Sequence, residues 1–157
     1  MVRRFTITLI AAGIIALAAA QLASAQATPS IRVTIWQARI LPGETYPYPN
    51  TPVGEYRVPD TVVVRNTGTA DLTFTGTTPV TVTSAPSGSF SVDLLPVGSI
   101  PPGQSASFIV RFSPTETGPN VATITIDTND PATPTFTFHM KSYGVSRKIR
   151  SLMLFGG

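Results

Sequence analysis

The chain has 157 residues, with eleven lysines and arginines against eight aspartates and glutamates, a formal net charge of +3 at pH 7, one histidine and no cysteine. Without thiols there is no disulfide framework, no thiolate metal site and no lipid-modified cysteine at an export junction, so stability rests on packing. The positive charge sits at the ends: from Gln26 to Met140 five arginines face eight carboxylates, a net of −3, while Lys141, Arg147, Lys148 and Arg150 gather near the C-terminus. A mildly acidic body with a basic tail argues against a folded nucleic-acid-binding face.

Residues 1–25 read as an export signal. Arg3 and Arg4 precede an uncharged apolar run from Phe5 to Ala20, and the small residues Ala23 and Ala25 place cleavage after Ala25. A transmembrane anchor is the competing reading, but this run is interrupted by Gly13 and is shorter than the roughly 20 residues a span needs. Val2 before the arginine pair favours the general secretory route over the twin-arginine one. Removal of the signal leaves residues 26–157, the size of one domain.

The first predicted strand is Ile31 to Trp36, with Ile31, Val33 and Ile35 on one parity. Leu41 to Pro59 carries Pro42, Pro47, Pro49, Pro52 and Pro59, and proline cannot donate to a ladder, so this stretch is expected to be irregular or an edge. Residues 26–59 are thus the first strand and a proline- and tyrosine-rich edge segment of the same domain. The body, residues 60–145, repeats period-two sets: Val62 and Val64; Leu72 and Phe74; Val80 and Val82; Phe90, Val92 and Leu94; Phe108, Val110 and Phe112; Ala122, Ile124 and Ile126; Phe136, Phe138 and Met140. Threonines fill much of the opposite parity, at Thr73, Thr75, Thr81, Thr83, Thr123, Thr125, Thr135 and Thr137, as suits a solvated strand face. No stretch after the signal has helical spacing. The expectation is an all-β, immunoglobulin-like antiparallel β-sandwich of seven to eight strands, followed by a basic and apolar tail over 146–157.

Turn residues separate these sets. Asn66 and Gly68 suit a turn with positive φ, Asp71 suits a bond to its own backbone, Pro102 and Gly103 suit the centre of a type II turn, and Asn129, Asp130 and Pro131 suit a turn before the last strand. The stretches VRNTGTADL (Val64 to Leu72), IPPG (Ile100 to Gly103), VRFSP (Val110 to Pro114) with Gly118, ITIDTNDP (Ile124 to Pro131) and Gly144 resemble, in order and spacing, the bacterial choice-of-anchor D domains. They are similar also to the ASH (ASPM, SPD-2, Hydin) or Hydin-like immunoglobulin-fold domains, which are related to major sperm protein and PapD-like sandwiches. The resemblance covers about Val58 to Val145. It implies a fold and non-enzymatic roles, in binding partner proteins, spacing domains or building a surface assembly, and supplies no ligand.

Candidate chemistry is sparse. His139, on the parity opposite the core set, is expected to face solvent, and with no second histidine or cysteine it assembles neither a zinc site nor a histidine-based triad. Asp127, Asn129 and Asp130 are weak calcium candidates, since alternating oxygen side chains in an extracellular sandwich can ligate a hard cation and the run resembles cadherin linkers; the turn reading competes. Tyr46, Tyr48 and Tyr56, with Trp36, are candidates for protein or sugar contact, or caps on the open end of the core. Arg147, Lys148 and Arg150, followed by Leu152 to Phe155, are either a disordered end or a contact for a partner groove or an anionic membrane surface.

These features point to an exported, periplasmic or extracellular module with no catalysis and no cofactor. It is expected to bind a protein partner through a sheet edge or loops, not nucleic acid, and to act as a component of the cell envelope or surface. The alternative is a carbohydrate- or surface-binding adhesin that uses the tyrosine segment.

Overall fold

A computed structural model describes residues 26–93 and 98–147. Twelve strands occur among them: β1 (Ile31–Ile35), β2 (Ala38–Ile40), β3 (Thr45–Pro47), β4 (Thr51–Pro52), β5 (Asp60–Asn66), β6 (Leu72–Thr73), β7 (Val80–Ala85), β8 (Phe90–Asp93), β9 (Ser99–Ile100), β10 (Ser105–Phe112), β11 (Gly118–Asp127) and β12 (Thr135–Val145). One sheet runs β2-β1-β5-β10-β8, and the other runs β3-β12-β11-β7 with β4 also on β12. β6 and β9 make a separate small pair.

The two large sheets close on one core because every long strand alternates. Val33 and Ile35 of β1, Val62 and Val64 of β5, and Phe108, Val110 and Phe112 of β10 are fully buried from one side. Ala122, Ile124 and Ile126 of β11 and Phe138 and Met140 of β12 meet them from the other. Register keeps these sets opposite each other, with Val64 beside Val33 and Ile124 beside Phe138. The strands of four residues or more are β1, β5, β7, β8, β10, β11 and β12, each anticipated from its parity.

The short strands, of two or three residues, are too brief to show alternation. The predicted pair Leu72 and Phe74 shrinks to β6, with Phe74 only bridging Thr128. β2 follows a two-residue turn, Trp36 and Gln37, both at positive φ of 49° and 69°. Such a hairpin turn ordinarily takes asparagine or glycine, so the sequence carries no turn signal there. β3 and β4 fall inside the proline-rich stretch and lie parallel to β12 on the edge of their sheet, where a missing N–H is tolerated.

Two turn expectations need correction. Asn66 and Gly68 do not adopt positive φ; Asn66 is instead a fully buried amide, and Gly68 is required because a Cβ there would collide with the Thr28 carbonyl oxygen. Asp71 accepts the Ser99 hydroxyl instead of an N–H of its own segment. The type II turn stands: Gly103 has φ of 76° and the Gln104 N–H donates to the Pro101 carbonyl at 3.0 Å.

The sandwich has four edges of unequal character. β2 has three residues and carries Arg39, β3 and β4 contain Pro47 and Pro52, and β8 has four residues ending at Asp93, which pairs with Arg111. β7, by contrast, runs six residues, VTVTSA, with no charge and no proline, and pairs only with β11 among the described residues.

Candidate functional site

Between the open end of the first sheet and β3 lies a cleft of about 410 Å³. Trp36 contributes its indole from the β1–β2 turn, Tyr46 and Pro47 come from β3, Tyr48 follows them, and Arg57, Val58 and Asp60 come from the approach to β5. A second cleft of about 320 Å³ lies on the far side of Trp36 and Val58. Trp36 is 70% exposed, yet its indole Nε1–H donates to Asp60 Oδ1 at 2.7 Å, so the ring is held rather than free. A tryptophan kept in the left-handed region costs on the order of 1–3 kcal/mol, which the surrounding structure must impose.

Asp60 is the unusual residue of this cleft. It occupies an inward position of β5, in step with Val62 and Val64, and is only 6% exposed. Its Oδ2 is buried and has no hydrogen-bond partner. Tyr48 is 4% exposed and belongs to the core, its ring edge-on to Phe90 and Phe112 at 6.0 and 5.7 Å, with its hydroxyl turned toward the Val58 carbonyl. Burial, reinforced by the Asp60 charge, pushes the Tyr48 phenol up to about 12 and raises Tyr46 in the same direction.

The unfolded phenol ionises first, near 10, so the Tyr48 contribution to stability is complete below that pH and is lost as pH rises toward about 12. Tyr48→Phe is therefore expected to melt less steeply with alkaline pH than the wild type. Thermal unfolding of both proteins between about pH 9 and about pH 11 checks this, and parallel curves would refute it.

The model of the HYDIN/CFA65/VesB-like Ig-like domain matches residues 52–142. The chain belongs to this family. Among solved structures, the immunoglobulin-like sandwich is similar to the ASH / PapD-like domain 7 of human CEP192, with 14% identity, a TM-score of 0.54, and coverage of 77% of this chain and 89% of that one. It is also similar to a protein of unknown function from Porphyromonas gingivalis W83, at 18% identity and a TM-score of 0.57, covering 76% of this chain and 49% of that one. The VesB protease of Vibrio cholerae aligns at 16% identity and a TM-score of 0.48, over 74% of this chain and 32% of that one. The chain thus spans about half of the second of these proteins and a third of the third. No curated protein sequence matches it.

Within this HYDIN-like Ig domain the other candidate residues are dispersed. Tyr56 is 76% exposed and does not line the cleft. Arg147 pairs with Glu55 at 3.0 Å, while Lys148, Arg150, the export signal and Leu94 lie outside the described residues. His139 is on the outer face, as its parity implies, but is half-buried there, with Nδ1 3.1 Å from the Thr123 hydroxyl across the β11–β12 ladder. Each calcium candidate already accepts hydrogen bonds within the fold: Asp127 Oδ1 accepts the Thr135 hydroxyl, Asn129 accepts the Thr73 N–H, and Asp130 accepts three backbone N–H groups. Among the described residues no group of three histidines, cysteines or carboxylates converges on a metal position.

Sequence reasoning found Trp36, Tyr46 and Tyr48 but missed Arg57 and Asp60. The available signal was parity, since Asp60 puts a carboxylate at a position of β5 where the pattern asks for an apolar side chain.

Proposed function

We propose that the chain is an exported, non-catalytic binding module of the cell envelope or surface, periplasmic or extracellular, which holds a protein partner by adding that partner's strand to β7. The observation behind this reading is an edge that no other strand among the described residues covers. Natural sheets blunt their edges with lysine, proline, bulges or brevity, and β7 has none of these over six residues. A partner strand laid along it would complete the backbone groups that face away from β11, and Thr81 and Thr83, both exposed, would flank the contact. The charge pattern of residues 1–25 supports export.

The test is the double variant Thr81→Lys and Thr83→Lys, which installs the edge guard that nature uses. Its stability should stay within about 0.5 kcal/mol of the wild type, because both positions are solvated. Affinity capture from the native envelope and growth medium should recover a partner with the wild type and lose it with the variant. A partner retained equally by both proteins would remove β7 from the account.

A further inference from the structure

We propose that the cleft floored by Asp60 is a binding site for a short zwitterion, a primary ammonium followed a few bonds later by a phosphate, as in a phosphoethanolamine group. This site is separate from the β7 edge, since β3 and β7 lie at opposite ends of the β3-β12-β11-β7 sheet.

The floor is a buried carboxylate whose second oxygen meets no donor at full hydrogen-bond geometry, the Tyr46 phenol beside it being its nearest polar neighbour. Asp60 is 6% exposed, its Oδ1 takes the Trp36 indole N–H, and its Oδ2 has no partner. No lysine or arginine among the described residues makes a direct ion pair with it, the two such pairs being Arg111 with Asp93 and Arg147 with Glu55. Leaving a carboxylate buried and half-satisfied is unfavourable for a free protein, so the position makes physical sense where a ligand supplies the missing N–H. A charged N–H donor meets a carboxylate more strongly than a neutral hydroxyl does.

The walls fit the same cation. Trp36, Tyr46 and Tyr48 all border the cleft, and ammonium groups are attracted to aromatic faces, most of all to tryptophan. The Trp36 ring is already oriented by its bond to Asp60 and by its fixed turn, so little ordering remains to be done on binding. Oδ2 is closed to water in the free molecule. Tyr46, half-buried and near enough for its phenol to bond Asp60, is the donor that the ligand ammonium would have to displace.

Arg57 sets the other end of the ligand. Arg57 is exposed and lines the same cleft, and its positive charge opposes a simple amine there. A planar guanidinium instead matches phosphate, which it can hold through two parallel N–H donors. With a cation required at the floor and an anion favoured beside Arg57, the complementary molecule carries both. Such a group is available from two sources, a lipid headgroup and a soluble or glycan-borne ester.

The experiment is calorimetric titration of the full chain with O-phosphoethanolamine, with ethylamine and inorganic phosphate as the separated halves. Saturable binding with a Kd of about 1 mM or tighter is expected, with each half at least about tenfold weaker. Asp60→Asn, which keeps an acceptor for the indole, and Arg57→Gln should each weaken binding about tenfold. Co-sedimentation with phosphatidylethanolamine vesicles, but not with phosphatidylcholine vesicles, would identify a lipid source; binding of the soluble ester alone would identify the other. The proposal is overturned by no saturable signal up to about 10 mM, by wild-type affinity in both variants, or by phosphate alone binding as well as the zwitterion. Binding of maltohexaose in place of the zwitterion would overturn it in favour of a saccharide site. Should Asp60→Asn fail to fold, Arg57→Gln, at an exposed position, decides the question.

Discussion

Asn66→Ala is expected to lower the melting temperature by about 10 °C or more. The side chain is fully buried at the end of β5 and makes four hydrogen bonds. Its Oδ1 accepts the N–H groups of Gly68 at 2.9 Å and Ser30 at 3.3 Å, and its Nδ2 donates to the carbonyls of Ala70 at 2.7 Å and Ile100 at 2.8 Å. Three separate segments therefore meet at one amide: the chain entering β1, the turn after β5, and β9.

Alanine would strand these groups. A buried donor or acceptor left without a partner costs about 1–3 kcal/mol, and the groups nearest the surface will recover part of that from water, so a total of about 3–4 kcal/mol is expected. Asn66→Asp should be no milder, since it replaces the donor with a carboxylate facing two carbonyl oxygens. Thermal unfolding by circular dichroism reads both variants. A loss under about 1 kcal/mol for Asn66→Ala would show that the amide is replaceable and the turn holds itself.

The contrast between Asn66 and its neighbours explains which parts of this fold were legible. Alternation in β5, β10, β11 and β12 could be read directly, because an apolar set on one parity has only one favourable orientation toward a core. Trp36 and Gln37 could not be read as a turn, since neither residue type favours the left-handed region and the hairpin is imposed by β1 and β2 around them. The candidate site was half legible for a related reason. Aromatic residues in a proline-rich stretch drew notice by composition, whereas Asp60 and Asn66 had to be recognised as polar residues on the inward parity of one strand, at positions 60, 62, 64 and 66. One of these two polar side chains has all its hydrogen-bonding groups met and one does not, a difference set by the partners the fold brings to each. The satisfied amide ties the fold together; the unsatisfied carboxylate sits in the cleft.

Asp130→Ala is expected to destabilise the domain by about 3 kcal/mol, and the size of that loss bears on whether the turn before β12 serves structure or calcium. Asp130 is 2% exposed. Its Oδ1 accepts the N–H groups of Ala132 at 2.8 Å and Thr133 at 3.3 Å, closing the turn, while Oδ2 accepts the Ile31 N–H at 2.8 Å. That last bond joins the first residue of β1 to the turn between β11 and β12, across 99 positions of sequence and from one sheet to the other. Bonds from N–H groups to a charged acceptor contribute about 1.5–3 kcal/mol each, so losing three should exceed the loss at an ordinary surface turn even after partial rehydration. Asp130→Asn should be intermediate, keeping an acceptor on one side and setting an NH2 against an N–H on the other. Calcium chelation should leave the wild-type melting temperature unchanged, because a cation competing for these oxygens would have to displace bonds the fold already uses. A melting temperature that rises with added calcium in the wild type and not in Asp130→Ala would reverse that assignment, since only a ligand bound to the folded state stabilises it by mass action.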